Sequence, residues 1–299
     1  MSLSWREALL SIMGAEAVLR AEKIQTLWGG YGQLLRVHLQ GGKTPSLILK
    51  QIAPPPAPLP GTPAATAHAR KLHSYTVERH WYRHWQVQAA ENARTACFLG
   101  EIHSDAGLIF LLEDLNAAGF PRRIRRPNST ETQALLHWLA VFHAHYLGVK
   151  PEGLWETGTY WHLATRQHEW QNMPAGSLKE KAQAWDQALH SANFQTLVHG
   201  DAKLANFCFS ATGDAVAAVD FQYCGGGPGI RDLAYLLSEL LPNPLKDAEA
   251  HLACYFMYLQ RALEQAGKGA LFSELESEWQ ELYPVACLDF ERFLAGWGS

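Results

Sequence analysis

Val198-His199-Gly200-Asp201-Ala202-Lys203-Leu204-Ala205-Asn206, followed by Asp220-Phe221-Gln222, is the stretch that decides how this chain folds. Asn206 stands five residues after Asp201, and Asp220 stands nineteen after it. Thr196-Leu197-Val198 is an apolar β-type run that delivers the His-Gly-Asp turn. Phe207-Cys208-Phe209 and Ala215-Val216-Ala217-Ala218-Val219 read as two short strands joined by the turn Ala211-Thr212-Gly213-Asp214. A small hairpin would then place Asn206 and Asp220 side by side. Phosphoryl transfer needs such a set. One carboxylate orients a hydroxyl nucleophile and takes its proton, while a second carboxylate and a carboxamide hold Mg²⁺ against nucleotide phosphates. Asp201 is the expected base. Asn206 and Asp220 are the expected metal ligands, since both offer the oxygen donors that Mg²⁺ prefers. A hairpin with turn-capping aspartates uses the same residue types. It explains neither the spacing nor the lysine and glutamate found upstream.

Composition narrows the class. The chain has 299 residues, 47% of them hydrophobic and 18% charged, which fits a well-packed core. A formal net charge of −4 argues against a nucleic-acid binder with a broad basic face. The basic run Arg122-Arg123-Ile124-Arg125-Arg126 reads as a solvated loop or as a contact for an anionic substrate or partner. No apolar run approaches the roughly 20 residues a membrane helix needs, and no secretory signal pattern is visible. A cytoplasmic protein with no membrane partner is expected. The five cysteines are widely spaced with no C-x-x-C, which suits reduced thiols rather than disulfides or zinc. The pairs His80/His84 and His143/His145 lack the second ligand pair a metal site requires.

Along the chain, Trp5 to Leu19 reads as a helix, and Ile24 to Leu39 as a hairpin turning at Gly29-Gly30-Tyr31-Gly32. Ser46 to Ile52 is a third strand, near whose end Lys50 sits. Ala53 to Ala67 holds six prolines and is expected as an exposed loop. Lys71 to Ala90 looks helical, and Ala96–Gly100 and Gly107–Leu112 look like strands. Thereafter the pattern is mainly helical: Thr130–Leu147 with a Ser129 or Thr130 cap, then Tyr160–Trp170, Ser177–Ser191, Ile230–Leu240, Lys246–Ala266 and Phe272–Leu294.

The ordered pair H-G-D-x-x-x-x-N and D-F-Q resembles the aminoglycoside phosphotransferase and choline kinase superfamily. Asp-Phe-Gln looks most like its ecdysteroid-kinase-like branch. The resemblance implies a bilobal, protein-kinase-like α+β fold. A small antiparallel-sheet lobe, residues 1–115, would bind nucleotide, and a larger, mainly helical lobe, 116–299, would carry catalysis and the acceptor site. It implies ATP and Mg²⁺ as cofactors. The partner would be a small-molecule hydroxyl acceptor: a steroid-like, choline-like or similar alcohol.

Individual roles follow from the same resemblance. Lys50 would pair with the α- and β-phosphates. Glu78, four residues before Tyr82, would hold its ammonium, with Glu91 as the fallback. An edge-strand lysine and a surface glutamate would look the same in isolation. Gly30 and Gly32 would let backbone amides approach phosphates, although the loop is not a full G-x-G-x-x-G. Glu113, Leu115 and Asn116 would form the hinge that reads adenine through backbone groups. Lys203 would reach the transferring phosphoryl group, or else remain solvated. Asp232 would brace the catalytic loop, and Gln222 is a signature position with no derivable role. Trp155, Tyr160, Trp161 and Trp170 are core aromatics or the wall of an acceptor pocket. No dense acidic cluster suited to an aminoglycoside is visible. The rival reading is a nucleotide-binding pseudokinase or scaffold. The intact set Lys50, Asp201, Asn206 and Asp220 favours an enzyme.

Overall fold

A computed structural model describes residues 4–88, 93–104 and 107–297. Helix α1 (Trp5–Met13) is capped by Ser4 in a reciprocal box with Glu7. It stops at Gly14, whose φ of 62° is left-handed. The helix expected to run to Leu19 is therefore short, and Ala17–Thr26 forms strand β1. Strands β2 (Gly32–Gln40), β3 (Ser46–Ile52), β4 (Phe98–Ser104) and β5 (Gly107–Glu113) complete an antiparallel sheet in the order β1-β2-β3-β5-β4.

Strand periodicity divides the side chains of this sheet between its two faces. Leu47 and Leu49 of β3, with Ile109 and Leu111 of β5, pack beneath Leu9 and Met13 of α1. The alternate residues Ile52, Phe110 and Leu112 join the main core of the molecule on the other face. Lys50 shares that second face by register. An ammonium thus enters the interior because its apolar neighbours fix the strand.

Helix α2 (Pro63–His80) starts with a proline behind the Thr62 cap, a position where proline costs no hydrogen bond. The expected proline loop is thus shorter by its last five residues, 63–67. A π-turn (Trp81–Trp85) and a 3₁₀ turn (Gln86–Gln88) continue α2. Glu91 lies outside the described residues. In the helical half, α3 (Ser129–His145) is capped by Asn128 with Glu131, one residue before the expected cap. The expected helix at 160–170 is broken. A 3₁₀ turn (Leu163–Thr165) precedes the short α4 (Gln167–Asn172), because Thr159 adopts a φ of 86° and His162 is extended.

Helix α5 (Ser177–His190) leads to β6 (Thr196–Val198) and the hairpin β7 (Phe207–Phe209) and β8 (Val216–Ala218). Strand β9 (Gly225–Gly227) pairs with β6. Its three glycines show no strand pattern, but a Cβ at Gly225 would lie 2.3 Å from the Trp155 carbonyl oxygen. Helices α6 (Ile230–Leu240), α7 (Pro244–Asp247), α8 (Glu249–Gln265) and α9 (Phe272–Trp297) close the chain. The expected helix 246–266 is divided at Ala248. Among the described residues, no helix is long and apolar enough to cross a membrane.

Asn128 satisfies an N–H that α3 cannot pair internally. Asn128→Ala should lower stability by about 1 kcal/mol, read from the urea midpoint at unchanged m-value.

Candidate active site

Strand β6 delivers its turn into a fixed cradle. Gly200 has a φ of 79°, and a Cβ there would lie 1.9 Å from the Tyr223 carbonyl oxygen. The buried Asp232 carboxylate accepts the backbone N–H groups of His199 (2.5 Å) and Gly200 (2.9 Å). His143 Nε2 lies 3.2 Å from the same carboxylate, and the Tyr255 hydroxyl lies 2.8 Å from His143 Nδ1. Asp232 thus braces the turn from α6. The backbone N–H of Tyr160 closes the other side by donating to the Gly200 carbonyl at 3.1 Å.

Asp201 is held by one oxygen. Lys203 Nζ (2.8 Å) and Asn206 Nδ2 (2.9 Å) both donate to Oδ2. Oδ1 is buried and has no hydrogen-bond partner. Burial raises this carboxyl above the usual aspartate range, with Lys203 pulling the other way. Asn206 also donates to the Asp201 carbonyl at 2.8 Å, so its amide nitrogen is committed and its oxygen remains for a ligand.

The hairpin brings Asp220 beside Asn206: Val219 N–H donates to the Asn206 carbonyl at 3.0 Å. Asp220 has a φ of 70°, rare for a residue with a side chain. Its Oδ1 accepts Lys50 Nζ (2.9 Å) and Gln222 Nε2 (2.7 Å). Burial alone would raise this carboxyl. Lys50 first, then Lys71, overcome it and hold Asp220 far below the usual range. Lys50 Nζ also donates to Glu78 at 2.7 and 2.8 Å. Against burial, the two carboxylates hold the Lys50 ammonium above its ordinary range. Burial pushes Glu78 up to about 7, with Lys50 opposing.

Two participants were not singled out in the sequence. Lys71 Nζ (2.7 Å) and Ser74 Oγ (3.2 Å) both donate to Gln222 Oε1. This fixes the amide so that its nitrogen faces Asp220, which is the role of Gln222. Lys71, Ser74 and Glu78 recur at helical spacing on α2, the signal that would have grouped them. Burial lowers the Lys71 ammonium below its ordinary range.

A cavity of about 810 Å³ lies between the sheet and the hairpin, bordered by Leu27, Ile48, Lys50, Glu78, Leu112, Glu113, Leu115, Asn206, Val219 and Asp220. Gly30, Gly32, Asn116, Asp201 and Lys203 are not on its lining. In the segment 113–116, expected as the hinge, Glu113 pairs with Arg94 at 2.5 Å and accepts the Cys97 N–H at 3.0 Å, while Asn116 accepts Arg123 at 3.2 Å. These contacts secure the segment 113–116. Arg123 and Arg125 border the cavity, so part of the basic run faces it. Trp161 packs in a core cluster with Tyr235, Phe290 and Phe293, whereas Trp155 lines a second cavity beside α2.

The family model of the APH phosphotransferase enzymes matches residues 23–263, most of the chain. The chain belongs to this phosphotransferase family. Among solved structures, a Plasmodium vivax ethanolamine kinase aligns over 93% of this chain and 77% of its own, at 13% identity and a TM-score of 0.51. That likeness shows the kinase-like α+β fold. An aminoglycoside-3'-phosphotransferase of type VIII aligns over 91% and 98%, at 16% identity and a TM-score of 0.49. No curated protein matches the sequence. For this phosphotransferase, Asp232→Ala should lower stability by about 3 kcal/mol, because two buried amides lose their acceptor. Chemical denaturation measures it.

Proposed function

We propose that this phosphotransferase is a cytoplasmic, ATP- and Mg²⁺-dependent kinase acting on the hydroxyl of a small organic acceptor. The observation that carries the reading is Asp201 Oδ1, buried and unpartnered while Oδ2 is fixed by Lys203 and Asn206. It is a carboxylate oxygen kept open for a hydroxyl. The cavity beside Lys50 has the size and apolar walls for a purine nucleotide. Asn206 and Asp220 offer a carboxamide and a carboxylate oxygen, a donor set that fits Mg²⁺. When bound, the ion would neutralise charge on the phosphates.

In the proposed reaction, the acceptor oxygen bonds to the γ-phosphorus and the bond to the β-phosphate oxygen breaks, its electron pair leaving with ADP. The hydroxyl proton passes to Asp201 Oδ1. Lys50, steadied by Glu78, grips the phosphates, and Lys203 keeps Asp201 aligned while facing the transferring group. Catalysis is then positioning and charge stabilisation. The Asp-Phe-Gln triplet supports an ecdysteroid-kinase-like preference for a hydrophobic alcohol. The aromatic flank Trp155 and Tyr160 beside the catalytic turn agrees with it.

The test joins a Mg²⁺-ATP thermal shift to a hydroxyl-compound phosphorylation screen. Asp201→Asn should reduce turnover by about 10²-fold or more with nucleotide binding nearly unchanged. Undiminished turnover would remove Asp201 from the role of base. A thermal shift with no product across a broad screen would favour the pseudokinase reading. Lys50→Ala should weaken Mg²⁺-ATP binding by about tenfold or more, followed calorimetrically.

A further inference from the structure

Gln222 is a buried amide set between opposite charges. Its Nε2 donates to Asp220 Oδ1 at 2.7 Å, and its Oε1 accepts Lys71 Nζ, also at 2.7 Å. The reversed amide would set its nitrogen against the Lys71 ammonium and its oxygen against the Asp220 carboxylate. The flanking charges therefore decide its orientation. Both ends are anchored. Trp155 Nε1 donates to the Gln222 carbonyl at 2.8 Å, and the Lys71 ammonium rests 4.9 Å from the centre of the Tyr75 ring. The amide thus ties helix α2 to the Asp-Phe-Gln turn.

Asp220 is approached unevenly. Oδ1 accepts Lys50 Nζ at 2.9 Å as well as Gln222, and two donors use both lone pairs of a carboxylate oxygen. Both donors fall on the same atom. Oδ2 is left to the cavity, which the carboxylate borders together with Lys50 and Asn206 and where its side chain is 34% exposed. Phosphates that drew Lys50 away would remove one donor from Oδ1. Gln222 would stay, because neither it nor its partners Lys71 and Trp155 are on the lining of that cavity.

The distinction matters for a cation. Mg²⁺ demands a compact, near-octahedral shell. Ca²⁺ is larger, tolerates irregular shells and accepts both oxygens of one carboxylate. A carboxylate with one oxygen committed can serve the first ion and denies the second its chelate. Hydrogen-bond partners behind a metal ligand commonly set its orientation in this way.

Resting on the kinase reading above, we infer that the Lys71–Gln222 strut keeps Asp220 Oδ1 out of the coordination shell, so that the site takes Mg²⁺ through Oδ2 and discriminates against Ca²⁺. Gln222 and Lys71 are positioning residues, and both act through Asp220.

Binding of a non-hydrolysable ATP analogue to the full chain tests this, measured calorimetrically in saturating Mg²⁺ and in saturating Ca²⁺. The quantity read is the ratio of the two dissociation constants. The unaltered chain should favour Mg²⁺. Gln222→Met, which keeps the length of the side chain and removes its donor and acceptor, should shift the ratio toward Ca²⁺ by about tenfold. Lys71→Met, at a half-buried position, leaves the amide in place but frees it to turn, and should shift the ratio the same way by a smaller factor. This arm does not depend on Gln222→Met folding. Loss of an ammonium strengthens the attraction for both cations alike, so a purely electrostatic role would leave the ratio unmoved. A ratio unchanged in either folded variant, an unaltered chain that favours Ca²⁺, or nucleotide binding indifferent to both cations overturns the inference. Turnover keeps the two readings apart. Shifted ratios with no phosphorylation across the hydroxyl screen keep the strut and sink the kinase. Phosphorylation with Mg²⁺-ATP and unshifted ratios keep the kinase and sink the strut.

Discussion

One buried ammonium organises the molecule. Lys50 arrives from β3, Glu78 from α2 and Asp220 from the β7–β8 hairpin, and the three meet within hydrogen-bond distance. Taking the charges of Lys50 and Glu78 out of water costs several kcal/mol per ion, which is recovered only if the partners are held in place. The sheet, the helix and the hairpin must therefore be fixed relative to one another. The apolar core that runs from Ile52 through Trp81 and Phe142 to Phe221 supplies that rigidity. Trp81 stacks on Phe221 at 4.2 Å, directly beside Asp220 in the chain.

The His-Gly-Asp turn obeys a different constraint, that of space. Gly200 and Gly225 occupy points where another backbone passes too close for any Cβ, and Gly158 lies against Gly225. The segment 155–160 can thus lie flat against the turn, and its amides reach the carbonyls of Gly200 and Tyr223. Asp232 completes the enclosure from α6, so the backbone before Asp201 has its polar groups satisfied on both sides. The Asp201 side chain is thus presented from a frame that fixes the backbone before it.

Much of this was legible in the residues. Asp201, Asn206 and Asp220 stand at a set spacing along a local hairpin, so their proximity follows from short-range structure. Lys50 and Glu78 could be paired because a strand and the next helix define both. Other features depend on long-range contact and leave no local mark. Strand β9 is three glycines whose pairing exists because Trp155 comes close. The end of α1 was misjudged because Ala15–Leu19 suits a helix until Gly14 turns left-handed. The break at 160–170 reflects Thr159 and His162 serving the turn instead of continuing a helix.

Helix α2 carries residues for both cavities: Arg70 lines the second, Lys71 and Ser74 hold Gln222, and Glu78, which lines the first, holds Lys50. These positions span about 12 Å along one unbroken helix. Mechanically it is a rigid lever with two loaded ends. A tilt of this helix that moved one end would move the other with it.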